Sequence, residues 1–128
     1  MKVLGANGLQ YLITKLMGVD FIVEQGTSGI WTYRKWNSGV SECWGIDTSH
    51  TSVAGNKNIN DIYLPDIFNA APIPQVTQGT SGTIDSYVKY VEIPSGKKNG
   101  HYYFDIYVYS ANANKNIFLS LVARGRWK

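Results

Sequence analysis

One segment of the sequence can be followed at period two on both sides of a turn signal. In residues 31–36, Trp31 and Tyr33 share one side of an extended chain, and residues 40–45 show the same spacing. Between these two stretches, Asn37-Ser38-Gly39 is typical of a tight turn, because Asn and Gly tolerate positive φ. The pattern therefore predicts a β-hairpin over about residues 30–46, which holds three of the four tryptophans.

The rest of the chain shows shorter alternating stretches, separated by residues that favour turns. In the clearest of them, the core-facing residues are Tyr102, Phe104, Ile106 and Val108, and the opposite face is His101, Tyr103, Asp105, Tyr107 and Tyr109. Further strands are expected at 19–25, 59–64, 74–78, 84–93 and 117–123, with loops at 47–60, 78–83 and 94–99. This spacing predicts an all-β fold, an antiparallel β-sandwich or jelly-roll-like head, whose strand order stays open.

One helix is expected, in residues 7–18, ahead of the strands. Its apolar residues have the i, i+3, i+4, i+7 spacing of one helical face and are Leu9, Leu12, Ile13 and Leu16. The sequence therefore divides into a short helical stem, residues 1–18, and a β-sandwich head, residues 19–128. Because so short a helix is marginal in water, its apolar face must be covered, either by the head or by copies around a threefold axis.

The composition limits the classes of protein to which the chain can belong. Only 16% of the residues are charged, against about 25% in ordinary domains, which suggests that an oligomer hides some surface. The net charge of +3 is not gathered into a dense basic stripe, so no nucleic-acid partner is expected. No apolar run approaches the ~20 residues of a membrane span, so no membrane insertion is expected. Cys43 is the single cysteine, which fits a buried structural role and assembly in a reducing compartment.

Residues suited to catalysis or metal binding are sparse. His50 and His101 lie about fifty residues apart, and no nucleophile motif accompanies them. The nine acidic residues are scattered singly, so a pair of carboxylates for glycoside hydrolysis cannot be recognised from their spacing. Asp61 and Asp66 could offer oxygen ligands to calcium, but the spacing of a calcium loop is absent. We expect no catalytic residue, no metal and no cofactor.

Sugar binding is the chemistry that the remaining residues favour, because sugar sites pair an aromatic platform with amides, carboxylates or Arg. The candidate ligand-binding residues are His101, Tyr103, Asp105, Tyr107 and Tyr109 on one strand, with Trp31 and Tyr33 on the hairpin. The tyrosines can alternatively pack against a neighbouring protomer. Core or interface roles are expected for Trp36, Trp44, Arg34, Glu42 and Cys43 and for the four apolar helix residues. Arg34 is expected either to pair with Glu42 across the hairpin or to stack on a ring.

A family resemblance lies in two stretches of the chain. The first is Gly26-Thr27-Ser28-Gly29-Ile30-Trp31-Thr32-Tyr33-Arg34-Lys35-Trp36-Asn37-Ser38-Gly39, continued by Glu42-Cys43-Trp44-Gly45. It resembles the distal domain of tail-fibre and minor structural proteins from phages and prophages of Gram-positive bacteria. The second, Ala123-Arg124-Gly125-Arg126-Trp127-Lys128, is similar to the tail on which that family commonly ends. The resemblance implies a virion protein at the tail tip, a homotrimer that touches the host surface.

The function expected from these observations is non-enzymatic recognition of the host surface by a phage tail-fibre or tail-tip domain. The expected partners are two further copies of the chain and a cell-wall polysaccharide or teichoic acid. Two alternatives stay open, a carbohydrate-binding module of a secreted enzyme and a structural trimerisation domain without a ligand.

Overall fold

Two antiparallel β-sheets make up the part of the chain that the computed structural model describes, residues 19–80 and 86–128. The strands are β1 (Ile22–Ser28), β2 (Trp31–Trp36), β3 (Val40–Thr51), β4 (Gly55–Tyr63), β5 (Ile73–Thr80), β6 (Ser86–Glu92), β7 (Tyr103–Ser110) and β8 (Asn116–Arg126). One sheet has the order β1-β2-β3-β8-β5, and the other has the order β4-β7-β6. The predicted all-β class with antiparallel sheets is confirmed. The predicted helix of residues 7–18, with Leu9, Leu12, Ile13 and Leu16, lies outside the described residues.

The core lies between the two sheets and comes mainly from the strands whose sequence alternates most regularly. Its fully buried members on β7 and β8 are Phe104, Ile106, Val108, Ile117, Leu119, Leu121 and Ala123. Because side chains alternate along a strand, the residues between these apolar positions of β7 are directed to the outer face of the three-stranded sheet. That outer face carries the tyrosines from which the first candidate site is built.

The predicted hairpin is confirmed as β2 and β3, which pair from Trp31 opposite Gly45 to Lys35 opposite Ser41. Gly39 closes the turn with φ of 99°, a conformation that favours glycine. The Trp31 ring crosses the core and stacks on Phe104 of the other sheet, with ring centroids 5.8 Å apart. The hairpin therefore supplies the aromatic contact that joins the two sheets.

The prediction of a loop over residues 47–60 is wrong. β3 continues to Thr51, and β4 begins at Gly55. The Asn residues that suggested a loop occupy exposed positions of β4, whereas Ile59 of the same strand is buried. Residues 47–51 and 55–60 are extended because they pair with neighbouring strands, and such pairing outweighs the low strand propensity of Asn and Gly.

Several predicted strand ends also differ from the structure. The first strand runs from Ile22 to Ser28 rather than over 19–25, and β5 reaches Thr80, inside the predicted loop 78–83. The last strand continues to Arg126. These extensions follow the neighbouring strands, since each added residue gains a ladder partner.

The two ends of the described chain meet at the β2–β3 turn. Trp127 donates from its indole N–H to the carbonyl of Trp36 at 2.8 Å and from its backbone N–H to the carbonyl of Gly39 at 2.9 Å. Asp20 accepts hydrogen bonds from the hydroxyl and the backbone N–H of Ser38, at 2.7 and 3.0 Å. Both hydrogen bonds stabilise the charged carboxylate and so lower the pKa of Asp20, and the bond from the Ser38 hydroxyl has the larger effect. The turn is thus held by both ends.

Candidate functional site

Four tyrosines lie in two cross-strand pairs on the outer face of the three-stranded sheet. Tyr87 is opposite Tyr109 with ring centroids 5.3 Å apart, and Tyr90 is opposite Tyr107 at 6.2 Å. The exposed fractions of Tyr87, Tyr90, Tyr107 and Tyr109 are 55%, 50%, 39% and 36%. We call these four side chains the tyrosine face. Their grouping suggests a surface that contacts a partner, because exposed aromatic groups of this kind mark binding surfaces.

A β-bulge in β6 brings Tyr90 onto the tyrosine face. In a regular strand, side chains three residues apart point to opposite faces, so Tyr87 and Tyr90 would be separated. The pairing with β7 shifts between Val88 and Tyr90, which makes Lys89 the extra residue. Because the shift changes which side chains face outward, both tyrosines lie beside β7 on the same side of the sheet.

Amide and carboxylate groups border the tyrosine face on the β4 side. Asn56 is the cross-strand partner of Tyr109, and Asn58 is the partner of Tyr107. The side-chain amide of Asn58 donates to the carboxylate of Asp105 at 2.6 Å. These groups supply both hydrogen-bond donors and acceptors next to the rings.

The β6 side of the tyrosine face is also polar. The hydroxyl of Tyr90 donates to the carboxylate of Glu92 at 2.7 Å, and this bond raises the pKa of Tyr90. A shallow groove crosses the sheet here, lined by Asn56, Lys89, Tyr90 and Tyr107. The groove combines two phenol rings with an amide and an ammonium group.

A second feature is a cleft of about 560 Å³ lined by residues of both sheets. Its walls are the β1–β2 turn at residues 28–31, part of β3 with Asp47, Ser49 and His50, the segment 61–66, and His101. We call it the histidine cleft. β-Bulges lie in both strands that contribute carboxylates, between Asp47 and His50 in β3 and between residues 59 and 62 in β4. Bulges re-aim side chains and are frequent beside functional sites.

His50 links the two sheets inside the histidine cleft. Its Nδ1 lies 2.5 Å from the buried carboxylate of Asp47, and its Nε2 lies 2.7 Å from the carboxylate of Asp61. Ser49 donates to the same Asp47 carboxylate at 2.7 Å. A neutral imidazole has one N–H, whereas both ionised carboxylates only accept. Which ring nitrogen donates depends on the tautomer of His50.

The structure separates the candidate residues that the sequence predicted on β7 and just before it. Tyr107 and Tyr109 belong to the tyrosine face, and Asp105 borders it. Tyr103 lies further along the strand, where the ammonium group of Lys98 is 4.7 Å from its ring centroid. His101 lines the histidine cleft instead, where its ring and the Tyr63 ring are in an edge-to-face arrangement with centroids 6.4 Å apart.

The two candidate residues on the hairpin are not brought to the tyrosine face. Trp31 is 4% exposed, and its indole N–H donates to the carbonyl of Tyr63 at 2.7 Å. The Tyr33 side chain is half-buried against the core and covers Gly26. Both rings therefore contribute to the packing of the domain, with Trp31 also forming part of the floor of the histidine cleft.

The hairpin residues that were expected to be structural pack against one another. The Arg34 guanidinium carbon lies 5.0 Å from the centroid of the Trp44 ring. Of the two roles expected for Arg34, it therefore stacks on a ring, although Glu42 is its cross-strand partner. Glu42 instead accepts a hydrogen bond from the Trp36 indole at 3.1 Å. Cys43 is fully buried next to these residues. Burial raises the pKa of the Cys43 thiol to about 12.

Two groups of site residues were missed by sequence reasoning. Tyr87 and Tyr90 were missed because strict alternation places them on opposite faces, and the bulge at Lys89 has no signal in the sequence. Asp47 was missed because it falls in the predicted loop 47–60, and Asp61, in the predicted strand 59–64, was considered only as an oxygen ligand for calcium. The single histidine between them, His50, was visible, but only the pairing of the strands places it against two carboxylates.

Within the described part of the chain, no group of three or more His, Cys, Asp or Glu residues could hold a metal ion. No helix among residues 19–80 and 86–128 has the length and hydrophobicity of a membrane span. The absence of a metal, a cofactor and a catalytic residue stays a prediction.

The fold is similar to that of a fibre protein. Neither a protein-family model nor a curated protein matches the sequence. A solved structure of the R1 pyocin fibre of P. aeruginosa, a C-terminal fragment, matches with a TM-score of 0.63 and 16% sequence identity. The match covers 96% of this chain and 32% of that fragment, so the chain spans about a third of the length of the protein it resembles. At this identity the comparison shows a common fold.

Proposed function

We propose that the chain is a domain of a tail fibre or tail tip that binds a host cell-wall glycan without cleaving it, and that the tyrosine face makes the contact. The observation that carries this proposal is the pair of cross-strand tyrosine contacts on an outer sheet face bordered by amides and carboxylates. The glycan is a wall polysaccharide or a teichoic acid, and the domain is part of a virion tail assembled in the bacterial cytoplasm.

The chemistry of the tyrosine face suits a sugar. A phenol ring presents an electron-rich face to the C–H groups of a sugar, and Tyr loses little conformational entropy because it has two χ angles. Asn58 and Asp105 lie close enough to serve hydroxyl groups, since their side chains are joined by a hydrogen bond beside Tyr107. Lys89 offers a positive charge to the phosphate of a teichoic acid at the same groove.

Two independent observations support the assignment to a fibre. The hairpin block from Gly26 to Gly45 and the Gly125-Arg126-Trp127-Lys128 ending resemble phage tail proteins. The three-dimensional fold matches a pyocin fibre over nearly the whole chain. Both support a tail-fibre domain, and the proposal names no particular host.

We further propose that the domain is a homotrimer. β1 is an edge strand whose side chains are exposed on both faces, apart from the half-buried Gly26. The first two residues of β1, Ile22 and Val23, and the preceding Phe21 are apolar and exposed. An open edge with apolar side chains favours association, and packing around a threefold axis would cover it. Three copies would also strengthen a weak glycan contact by avidity.

The chemistry of the reactive side chains supports a non-enzymatic role. Cys43 is buried, and its raised pKa keeps the thiol protonated at neutral pH. Both ring nitrogens of His50 are hydrogen-bonded to carboxylates, which leaves neither free to accept a proton from a nucleophile.

A glycan array of bacterial surface polysaccharides, together with purified cell walls, tests the proposed function. The wild-type chain is expected to bind at least one polysaccharide. Tyr107→Ala is expected to weaken binding about two- to tenfold, because one aromatic contact contributes about 0.5–1.5 kcal/mol beyond its area. Tyr107→Phe is the matched control, since it keeps the ring and removes only the hydroxyl, and it should retain most of the binding.

Two results would refute the proposal. Absence of binding to every polysaccharide and wall preparation would favour a structural trimerisation domain. Binding that is the same in Tyr107→Ala and in the wild type would show that another surface makes the contact.

A further inference from the structure

The histidine cleft is a concave site on a different part of the surface from the tyrosine face. Its volume of about 560 Å³ lies within the range of about 300–1,000 Å³ that small-molecule sites occupy. Ile30 and Tyr63 provide apolar and aromatic wall, and the buried Trp31 ring forms part of the floor. These residues come from the β1–β2 turn, β2 and β4, so the cleft is built on paired strands.

The polar groups of the cleft that are free to meet a ligand are mostly acceptors. Asp61 uses one oxygen to hold His50, and its side chain is 65% exposed. Asp66 and the ring of His101 have no hydrogen-bond partner among the described residues. The hydroxyl of Tyr63 accepts from the amide of Asn99 at 3.2 Å, which leaves its own proton to donate.

His50 fixes the position of the principal acceptor. The imidazole joins Asp61 of β4 to the buried Asp47 of β3, so the Asp61 carboxylate cannot rotate freely. An acceptor held in place before binding loses less entropy when a ligand arrives. This bridge crosses between the two sheets at the wall of the cleft.

The charge of the cleft limits the ligand. Three Asp residues line it, and none of the described lining residues is Lys or Arg. An anionic ligand would therefore be repelled, whereas the hydroxyl groups of a neutral sugar donate to carboxylates and its apolar face can lie on Tyr63 or Ile30. We propose that the histidine cleft is a second saccharide site, which binds an uncharged sugar and excludes phosphorylated ones. It operates independently of the tyrosine face.

Isothermal titration of the whole chain with a panel of sugars tests this site. The panel contains glucose, galactose, mannose, rhamnose, N-acetylglucosamine and N-acetylgalactosamine, with glucose 6-phosphate as the anionic comparison. At least one neutral sugar is expected to bind with a Kd of about a millimolar, which is ordinary for a single weak site. Glucose 6-phosphate is expected to bind at least about tenfold more weakly than the neutral sugar of the same shape.

Matched substitutions locate the binding. Asp61→Asn and Asp66→Asn are expected to weaken it about five- to tenfold, because each replaces a charged acceptor by a neutral one. Asp61 is largely exposed, so the variant should fold, and its thermal unfolding would be recorded as a check. Glu24→Gln makes the same chemical change at an exposed carboxylate of β1, outside both the histidine cleft and the tyrosine face, and should leave the affinity for the monosaccharide unchanged.

The results also separate this inference from the proposed function. Failure of every neutral sugar to bind, or equal binding of glucose 6-phosphate, would overturn the second site. An affinity unchanged by both Asp61→Asn and Asp66→Asn would overturn it as well. None of these outcomes affects polysaccharide binding that depends on Tyr107, which is measured on another surface.

Discussion

Gly45 is required opposite Trp31 because the backbone of Ile30, and less closely the Trp31 ring, occupies the space that a side chain would fill. A Cβ on Gly45 would lie 2.4 Å from the carbonyl oxygen of Ile30 and 3.3 Å from the Trp31 ring. The Trp31 ring in turn reaches Phe104 of the other sheet. Trp31 and Gly45 of the hairpin block therefore have a structural explanation, because both are needed for the packing of β2 on β3 and on the other sheet.

Gly45→Ala is expected to lower the free energy of unfolding by about 3 kcal/mol, because the backbone of residue 30 cannot move away without disturbing the hairpin. Gly79→Ala is the matched control in the same sheet, since its Cβ would meet only the Phe118 Cβ at 3.8 Å. The control should change stability by less than about 0.5 kcal/mol. Urea denaturation measures both, and equal stabilities for the two variants would refute this role of Gly45.

Cys43 is expected to resist alkylation in the folded protein. Its pKa of about 12, against an ordinary value near 9.0, keeps the thiol protonated at pH 8, and the side chain is buried. Because the folded state retains the proton that the unfolded state loses, stability should fall as the pH rises from about 9 towards 12. Mass spectrometry after iodoacetamide treatment at pH 8 measures the alkylation of Cys43. Rapid labelling of the folded protein without denaturant would contradict the expected resistance.

At the scale of the elements, the chain ending completes the hairpin. The Trp127 ring covers the β2–β3 turn, and the Lys35 ammonium lies 5.6 Å from its centroid. The Gly-Arg-Trp-Lys ending therefore has a structural explanation that is independent of ligand binding.

Trp127→Ala should lower the free energy of unfolding by about 2 kcal/mol, through the lost packing and the lost hydrogen bond to Trp36. Trp127→Phe keeps most of the packing and removes the N–H donor, so a loss of about 1 kcal/mol is expected. Thermal or urea unfolding compares the two variants. An unchanged stability in Trp127→Ala would show that the ending does not hold the turn.

The sequence predicted the regular elements well and the irregular ones poorly. The alternation in β7 placed Phe104 and Ile106 inside and Tyr107 outside, because a half-buried strand has a period of two. The bulges in β3, β4 and β6 were invisible, since one extra residue changes the facing of a strand without a characteristic residue type. The position of Tyr90 on the tyrosine face and the meeting of His50 with Asp47 and Asp61 both occur at these bulges.

At the scale of the whole molecule, the exposed apolar residues at the start of β1 form the surface from which the proposed trimer contact is argued. Val19, Phe21, Ile22 and Val23 are all exposed, and Asp20 among them is held to the β2–β3 turn by Ser38. The segment is therefore fixed in an exposed position on the described surface. An apolar edge fixed in this way is a suitable contact for further copies of the chain.

Light scattering of the purified chain should give a mass three times 14.3 kDa at micromolar concentration. Val23→Lys is expected to shift the protein towards the monomer, because it places a charge in the proposed contact. Thr77→Lys, which adds the same charge at an exposed position of β5, serves as the control for an altered surface charge. A stable monomer of the wild-type chain would contradict the trimer.

The tyrosine face is the centre of this account, and a crystal structure of the chain with an array-selected oligosaccharide tests it most directly. The account predicts a sugar ring lying on Tyr90 or Tyr107, with hydroxyl groups hydrogen-bonded to Asn58 or Asp105. The contradicting result is a tyrosine face buried against a neighbouring copy, with the oligosaccharide bound elsewhere.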